Sequence, residues 1–249
     1  MLVDSLPPSN LQSPFNPRLK KQCASSFAQR RMRISPARAF GVIGPKALSV
    51  TFADAWAATY GLPTEPVMYF AMTHVTRTTL RPSTRALPVN VVLGLCTPAD
   101  LDIAADMCER ATHPMDEPVP PPLDAAAARL QANKLIEGQH LYGAWVDGVL
   151  RTLVSITRET PLVRAVSKVY TAPEVRGQGL AEALVRHAIA RVFEIPLGPR
   201  YVESVCLFFE PSNPSAVRLY QKIGFVIAPG ENEEWSEITW DADQVHAEV

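Results

Sequence analysis

VYTAPEVRGQGLA, residues 169–181, joins two hydrophobic periods. An alternating strand pattern ends at Thr171, Arg176-Gly177-Gln178-Gly179 make a turn, and Leu180, Ala181, Leu184, Val185, Ala188 and Val192 recur at helical spacing. Two glycines here allow positive φ and close approach of a ligand, while unpaired N–H groups and the positive end of the helix point outward. A phosphate or pyrophosphate is the natural occupant of such a nest. Gly-Gln-Gly by itself is equally an ordinary strand-to-helix turn. The dinucleotide fingerprint G-x-G-x-x-G fails, because Glu182 stands at its third glycine, and no G-x-x-x-x-G-K-[ST] loop exists. Dehydrogenase and kinase readings lose their support.

Upstream of this turn, Leu141 to Val146 and Val149 to Ile156 flank Asp147-Gly148, a strong hairpin signal, and Val163 to Thr171 follows as a further strand. Val89 to Cys96 reads as a buried strand, with Thr97-Pro98 opening a helix that runs to about Thr112. Residues 113–122 contain Pro-Val-Pro-Pro-Pro, a stiff loop, and Asp124 to Leu135 resumes as an alanine-rich helix. Earlier still, Phe52 to Thr59 reads as a helix and Val67 to Val75 as a strand. Downstream, Tyr201 to Phe209 reads as a strand and Pro214 to Ile223 as a helix, before a C-terminal β segment. From Val89 on the order is βααβββαβα and then β, an α/β or α+β architecture with helices covering a sheet.

The helix at 214–223 belongs to NPSAVRLYQKIGF, residues 213–225, with Pro214 near its first position and Gly224 at its stop. Tyr220 shares a face with Ala216, Leu219 and Ile223, and on spacing alone is a core aromatic. Together the two segments resemble the GNAT superfamily of N-acetyltransferases. Arg176, Gly179 and Ala181 match its acyl-CoA motif, Arg/Gln-x-x-Gly-x-Gly/Ala. Asn213, Tyr220, Gly224 and Phe225 match its second signature, an Asn followed by a helix ending Tyr-x-x-x-Gly-Phe. The resemblance covers roughly residues 88–242. It implies a mixed, mostly antiparallel central sheet flanked by helices. VYTAPEVRGQGLAEALV and NPSAVRLYQKIGF are similar to the FR47-like branch, in which a degenerate acetyltransferase-like half often precedes the catalytic one. Residues 40–63 resemble only the end of that half. The expected division is a basic tail at 1–39, a remnant of the N-terminal half at 40–87 and a catalytic domain at 88–249.

The resemblance implies acetyl-CoA as co-substrate and direct attack by a primary amine in a ternary complex. The amides of Arg176, Gly177, Gln178, Gly179, Leu180 and Ala181 would hold the pyrophosphate. The strand edge at Val169, Tyr170 and Thr171 would bind the pantetheine arm and thioester carbonyl, and Asn213 would touch the cofactor arm. Tyr220 would protonate the leaving thiolate. Glu210 is the candidate general base, with Glu203 and Glu159 as rivals; each also reads as a solvated surface acid. No cysteine nucleophile is required, so Cys206 is expected in the core. A catalytically weak acyl-CoA-binding or protein-interaction module on the same fold is the alternative.

Composition bounds the rest. The 249 residues are 47% hydrophobic, enough for a sizeable core. Lys plus Arg number 24 against 25 Asp plus Glu, so no overall field attracts nucleic acid. No apolar run reaches the ~18 residues of a membrane span. Cys23, Cys96, Cys108 and Cys206 form no C-x-x-C pair and read as reduced thiols. His74, His113, His140, His187 and His246 show no metal-ligand spacing, and no metal is expected. Residues 1–52 carry eight basic side chains against one acid, but prolines at 7, 8, 14 and 17 interrupt any amphipathic helix. A cytoplasmic location is expected, with mitochondrial targeting by the tail as the alternative. The expected partners are a small-molecule or peptide amine and, for a homodimer, a second copy; neither nucleic acid nor membrane is expected.

Overall fold

The computed structural model describes residues 41–61, 68–83, 85–111, 124–197, 200–227 and 234–240. The basic tail at 1–39 and the proline loop at 113–122 lie outside these residues. In chain order the elements are β1 (Gly41–Pro45), α1 (Lys46–Tyr60), β2 (Met68–Thr76), β3 (Val91–Leu95), α2 (Leu101–Arg110) and α3 (Ala125–Glu137). They continue with β4 (Leu141–Val146), β5 (Val149–Thr157), β6 (Val163–Thr171), α4 (Leu180–Phe193), β7 (Pro196–Leu197), β8 (Arg200–Tyr201), β9 (Ser204–Phe209), α5 (Pro214–Ile223) and β10 (Trp235–Thr239). The described residues form two compact units, one from those within 1–71 and 227–249 and one from those within 72–226. This grouping differs from the division at residue 88 expected from sequence. Residues 72–87 join the larger unit, and β10 joins the smaller.

In the smaller unit β10 lies antiparallel to β1, with Gly41 opposite Thr239, and to the start of β2, with Trp235 opposite Phe70. Helix α1 starts at Lys46, six residues before the expected Phe52. Its inward face hides a polar contact that masks the helical pattern: buried Ser49 and Ser236 share a 2.6 Å hydrogen bond. Ala53, Trp56, Ile238 and Trp240 make the core, the two indoles lying 5.7 Å apart.

The larger unit is a mixed, mostly antiparallel sheet in the order β2-β9-β6-β5-β4-β3. Antiparallel pairs run from β3 through β6, while β9 joins β6 in parallel. Asp147 and Gly148 both take positive φ, 50° and 77°, as a tight two-residue hairpin requires. Because neighbouring strand residues face opposite ways, Tyr142, Ala144 and Val154 pack with Leu184, Val185, Ala188 and Ile189 of α4. Leu141 and Leu153 pack with Ala104, Cys108, Ala132 and Leu135 of α2 and α3. Each fully buried leucine contributes roughly 1.5–3 kcal/mol. Among the described residues, no helix is long and apolar enough to cross a membrane.

The expected strand at 201–209 is interrupted. Tyr201 pairs back to Pro196, Val202 turns into the core with no exposure, and the Glu203 amide donates to the Leu162 carbonyl at 2.8 Å before β9 begins. Cys206, expected in the core, is only half-buried. Among the described residues Cys96 and Cys108 are the buried thiols, and burial pushes that of Cys96 up to about 12.

Candidate active site

Strands β6 and β9 pair only over Val163–Ala165 and Ser204–Cys206. Beyond that point β6 keeps β5 as its one strand neighbour among the described residues, with Thr152 opposite Thr171 and Val154 opposite Val169. A register shift sets Ser167 out of the ladder, and its hydroxyl bonds those of Ser155 (2.8 Å) and Thr157 (3.0 Å) instead. The far edge of Val169–Thr171 therefore has no strand partner among the described residues. Val169 packs toward α4 and Tyr170 toward α2 and α3. The hydroxyls of Thr152 and Thr171 are buried without a hydrogen-bond partner among the described residues.

The chain leaves β6 through a 3-10 turn at Pro173–Val175 and enters the glycine turn. Gly177 and Gly179 have φ of 74° and 86°, values that β-carbon-bearing residues rarely adopt. Gly179 occupies the position that caps α4 but has no side chain to do so. The first-turn amides of a helix have no intrahelical acceptor. Among the described residues the amides of Gly177, Gln178 and Gly179 also lack a backbone partner. Nothing lies within 4 Å of where a Cβ on Gly177 would stand. Leu180, 2% exposed, anchors the helix start, while Gln178 is exposed and Ala181 half-buried. The Arg176 side chain turns back: its Nε donates to the Thr171 carbonyl at 3.0 Å and its guanidinium lies 5.9 Å from the Tyr170 ring.

Two charged groups near this turn were not foreseen. Glu182 is buried in the first turn of α4, where Arg186 Nη2 reaches it at 3.0 Å and Lys222 Nζ at 2.6 Å. Burial alone would raise its carboxyl, but the hydrogen bonds from Lys222 and Arg186 outweigh that and hold it below 4.5. Arg186 also donates to the carbonyls of Lys222 at 2.7 Å, Ile223 at 3.3 Å and Arg81. The spacing of Glu182 and Arg186 is legible as an i,i+4 pair. Arg85 had no such signal: its Nη1 sits 3.4 Å from where a Gly179 Cβ would be.

Helix α5 supplies the remaining residues. Its N-cap is Asn213, whose Oδ1 accepts from the Ala216 amide at 3.0 Å, and Pro214 holds the first position. Gly224 ends the helix at φ 110°. Tyr220 packs against Phe209 and Phe225, with ring centroids 5.9 and 5.6 Å away. Burial pushes its hydroxyl up to about 12, so it keeps its proton at neutral pH. Glu210 is exposed, its carbonyl accepting the Asn213 amide and its carboxylate 3.5 Å from Ser212 Oγ. Glu203 is exposed as well. Glu159 pairs with Arg164 at 3.0 Å. His187 lies half-buried on α4 against Tyr142. Among the described residues, no three His, Cys, Asp or Glu side chains are grouped to hold a metal ion.

Residues 105–225 match the acetyltransferase (GNAT) family. Among solved structures the chain is similar to a GCN5-related N-acetyltransferase from Sphaerobacter thermophilus, with 17% identity over 88% of this chain and 66% of that one and a TM-score of 0.53. A GCN5-related N-acetyltransferase from Kribbella flavida gives 16% identity, 78% and 64% coverage and a TM-score of 0.51. A tandem GNAT protein from the clavulanic acid biosynthesis pathway gives 16%, 81%, 63% and 0.54. At these identities the likeness is one of fold, and this chain spans just under two thirds of each of these proteins. No curated protein matches the chain by sequence.

Proposed function

We propose, from the match of residues 105–225 to the acetyltransferase (GNAT) family, that this chain is an N-acetyltransferase that moves an acetyl group from acetyl-CoA to a primary amine. The observation that carries this reading is the start of α4, where a glycine turn leaves a ring of amides open beside the splayed edge of β6. Acetyl-CoA supplies a thioester. The amides of residues 177–181 hold its pyrophosphate, aided by the positive end of α4, whereas the Arg176 amide donates to the Pro173 carbonyl at 3.2 Å. The open edge at Val169–Thr171 receives the pantetheine arm and offers an N–H to the thioester carbonyl as negative charge grows on it. Asn213 keeps an amide nitrogen for the cofactor arm while its oxygen caps α5.

The amine nitrogen attacks the acyl carbon, the C–S bond breaks, and the thiolate takes a proton from Tyr220. Tyr220 is half-buried and its hydroxyl, pushed up to about 12, keeps its proton at neutral pH, so a proton is at hand when the thiolate forms. The proton lost by the amine passes to Glu210, directly or through water, because that acid is exposed and has no cationic partner among the described residues. Helix α2 carries Asp102, Asp106 and Glu109, of which Asp102 pairs with Arg129 and Asp106 with Arg110.

Calorimetric titration with acetyl-CoA tests the reading, followed by thiol release across an amine panel. Micromolar binding and amine-dependent release support it. Binding with no release from any amine favours a module that holds acyl-CoA without turnover, and no binding refutes it.

A further inference from the structure

We propose that Arg85, outside the matched segment at 105–225, is a second jaw of the phosphate site and grips the acyl-CoA phosphates opposite the amides of Gly177–Leu180. This rests on the acyl-CoA reading above. The guanidinium is exposed, carries no ion pair among the described residues, and lies with Nη1 3.4 Å and Cδ 3.7 Å from the Cβ position of Gly179. A cation set against the positive end of a helix is repelled unless an anion comes between them. The two carboxylates closest in sequence to the turn have other cations: Glu182 is held by Arg186 and Lys222, and Glu174 by Arg151. The turn and Arg85 thus share a positive field that neither of these two carboxylates is free to compensate.

Arg85 is also brought there by a fixed segment. Leu80 packs on the α4 side of the core, the Arg81 amide donates to the Ile223 carbonyl at 2.9 Å, and Arg186 binds the Arg81 carbonyl. A Cβ on Gly224 would collide with the Thr79 carbonyl, so the glycine that ends α5 is what lets this segment lie against it. Ser83 Oγ then turns the chain by donating to the Arg85 carbonyl at 2.9 Å and accepting its amide at 3.3 Å. An arginine held in this way offers the planar, paired donors that phosphate oxygens accept.

The test is acetyl-CoA titration of the full chain and of Arg85→Ala, beside 3′-dephospho-CoA and acetyl-pantetheine, which has no phosphate. Arg85→Ala should bind acetyl-CoA about tenfold or more weakly, through a higher KM in turnover, with an unliganded Tm like that of the parent. Its preference for acetyl-CoA over acetyl-pantetheine should shrink by the same factor. Equal loss for acetyl-CoA and 3′-dephospho-CoA assigns Arg85 to the diphosphate, and loss for acetyl-CoA alone assigns it to the 3′-phosphate. Parent and variant binding acetyl-CoA equally well would overturn the role of Arg85 and leave the proposed function standing. A parent that binds no acetyl-CoA would overturn both.

Discussion

Helices α4 and α5 both follow a strand of the larger unit, yet their first turns are finished in opposite ways. At α5, Asn213 supplies its own acceptor to the Ala216 amide and the helix end is chemically complete. The same holds at α3, where Asp124 accepts from the Ala127 amide at 2.7 Å. At α4 the capping position is a glycine in the left-handed conformation, and no side chain reaches the amides. A capped end serves stability, whereas the uncapped one, with Arg85 beside it, is where the proposed anion would bind.

The largest effect should come from closing the open end. Gly179→Glu places a β-carbon at φ 86° and a carboxylate beside Arg85 and the free amides. It should abolish measurable acetyl-CoA binding in calorimetry, a loss of at least about a hundredfold. A variant that still binds would make α4 as ordinary as α5. Tyr220→Phe should lower kcat about a hundredfold while leaving acetyl-CoA affinity near its parent value. The parent's kcat should also show no loss between pH 8 and about 10 from this hydroxyl, since burial moves its titration to about 12. A drop near pH 10 that vanishes in the Phe variant would show an ordinary tyrosine.

Glu182→Gln should cost about 2 kcal/mol of unfolding free energy at pH 7, because two charged hydrogen bonds go and Arg186 loses its counter-ion. The Glu182 carboxyl is lowered by folding, so its contribution is present above the unfolded value and fades as pH falls through the folded one. Urea melts of parent and variant should accordingly converge as pH falls through that lowered folded value. Asn213→Ala should cost only about 1 kcal/mol, and Asn213→Asp, which retains the cap, should cost far less. If thermal melts instead showed Asn213→Ala to be silent, the contrast between the two helix ends would lose its capped member.

What the sequence made legible were the local features. Asp147-Gly148 sets its hairpin through its own dihedral angles, Gly224 ends its helix at a left-handed position, and the glycines at 177 and 179 adopt the φ their composition suggested. Long-range pairings carried no mark. β1 is Gly-Val-Ile-Gly-Pro, whose glycines and proline weaken any strand pattern, and its partner lies at the other end of the chain. Tyr201 and β9 read as one apolar run because period alone does not reveal that Val202 turns inward between two pairings. In the candidate site the motif residues were visible, whereas Arg85 was not. Its place depends on hydrogen bonds to the Ile223 and Arg81 carbonyls that no spacing encodes.

β10 lies between β1 and β2 in the smaller unit, so this unit is woven from both ends of the chain. On a ribosome, that inverts the usual order in which the N-terminal part folds first. Residues 41–71 emerge early but wait for Trp235–Thr239, while Met72–Val226 has all its strands in hand before then. During that interval Trp56 has neither Ile238 nor Trp240 to pack against. Until residues 235–240 emerge, the indole has Phe52 and Tyr60 of its own helix, 5.6 and 4.7 Å away, to cover it.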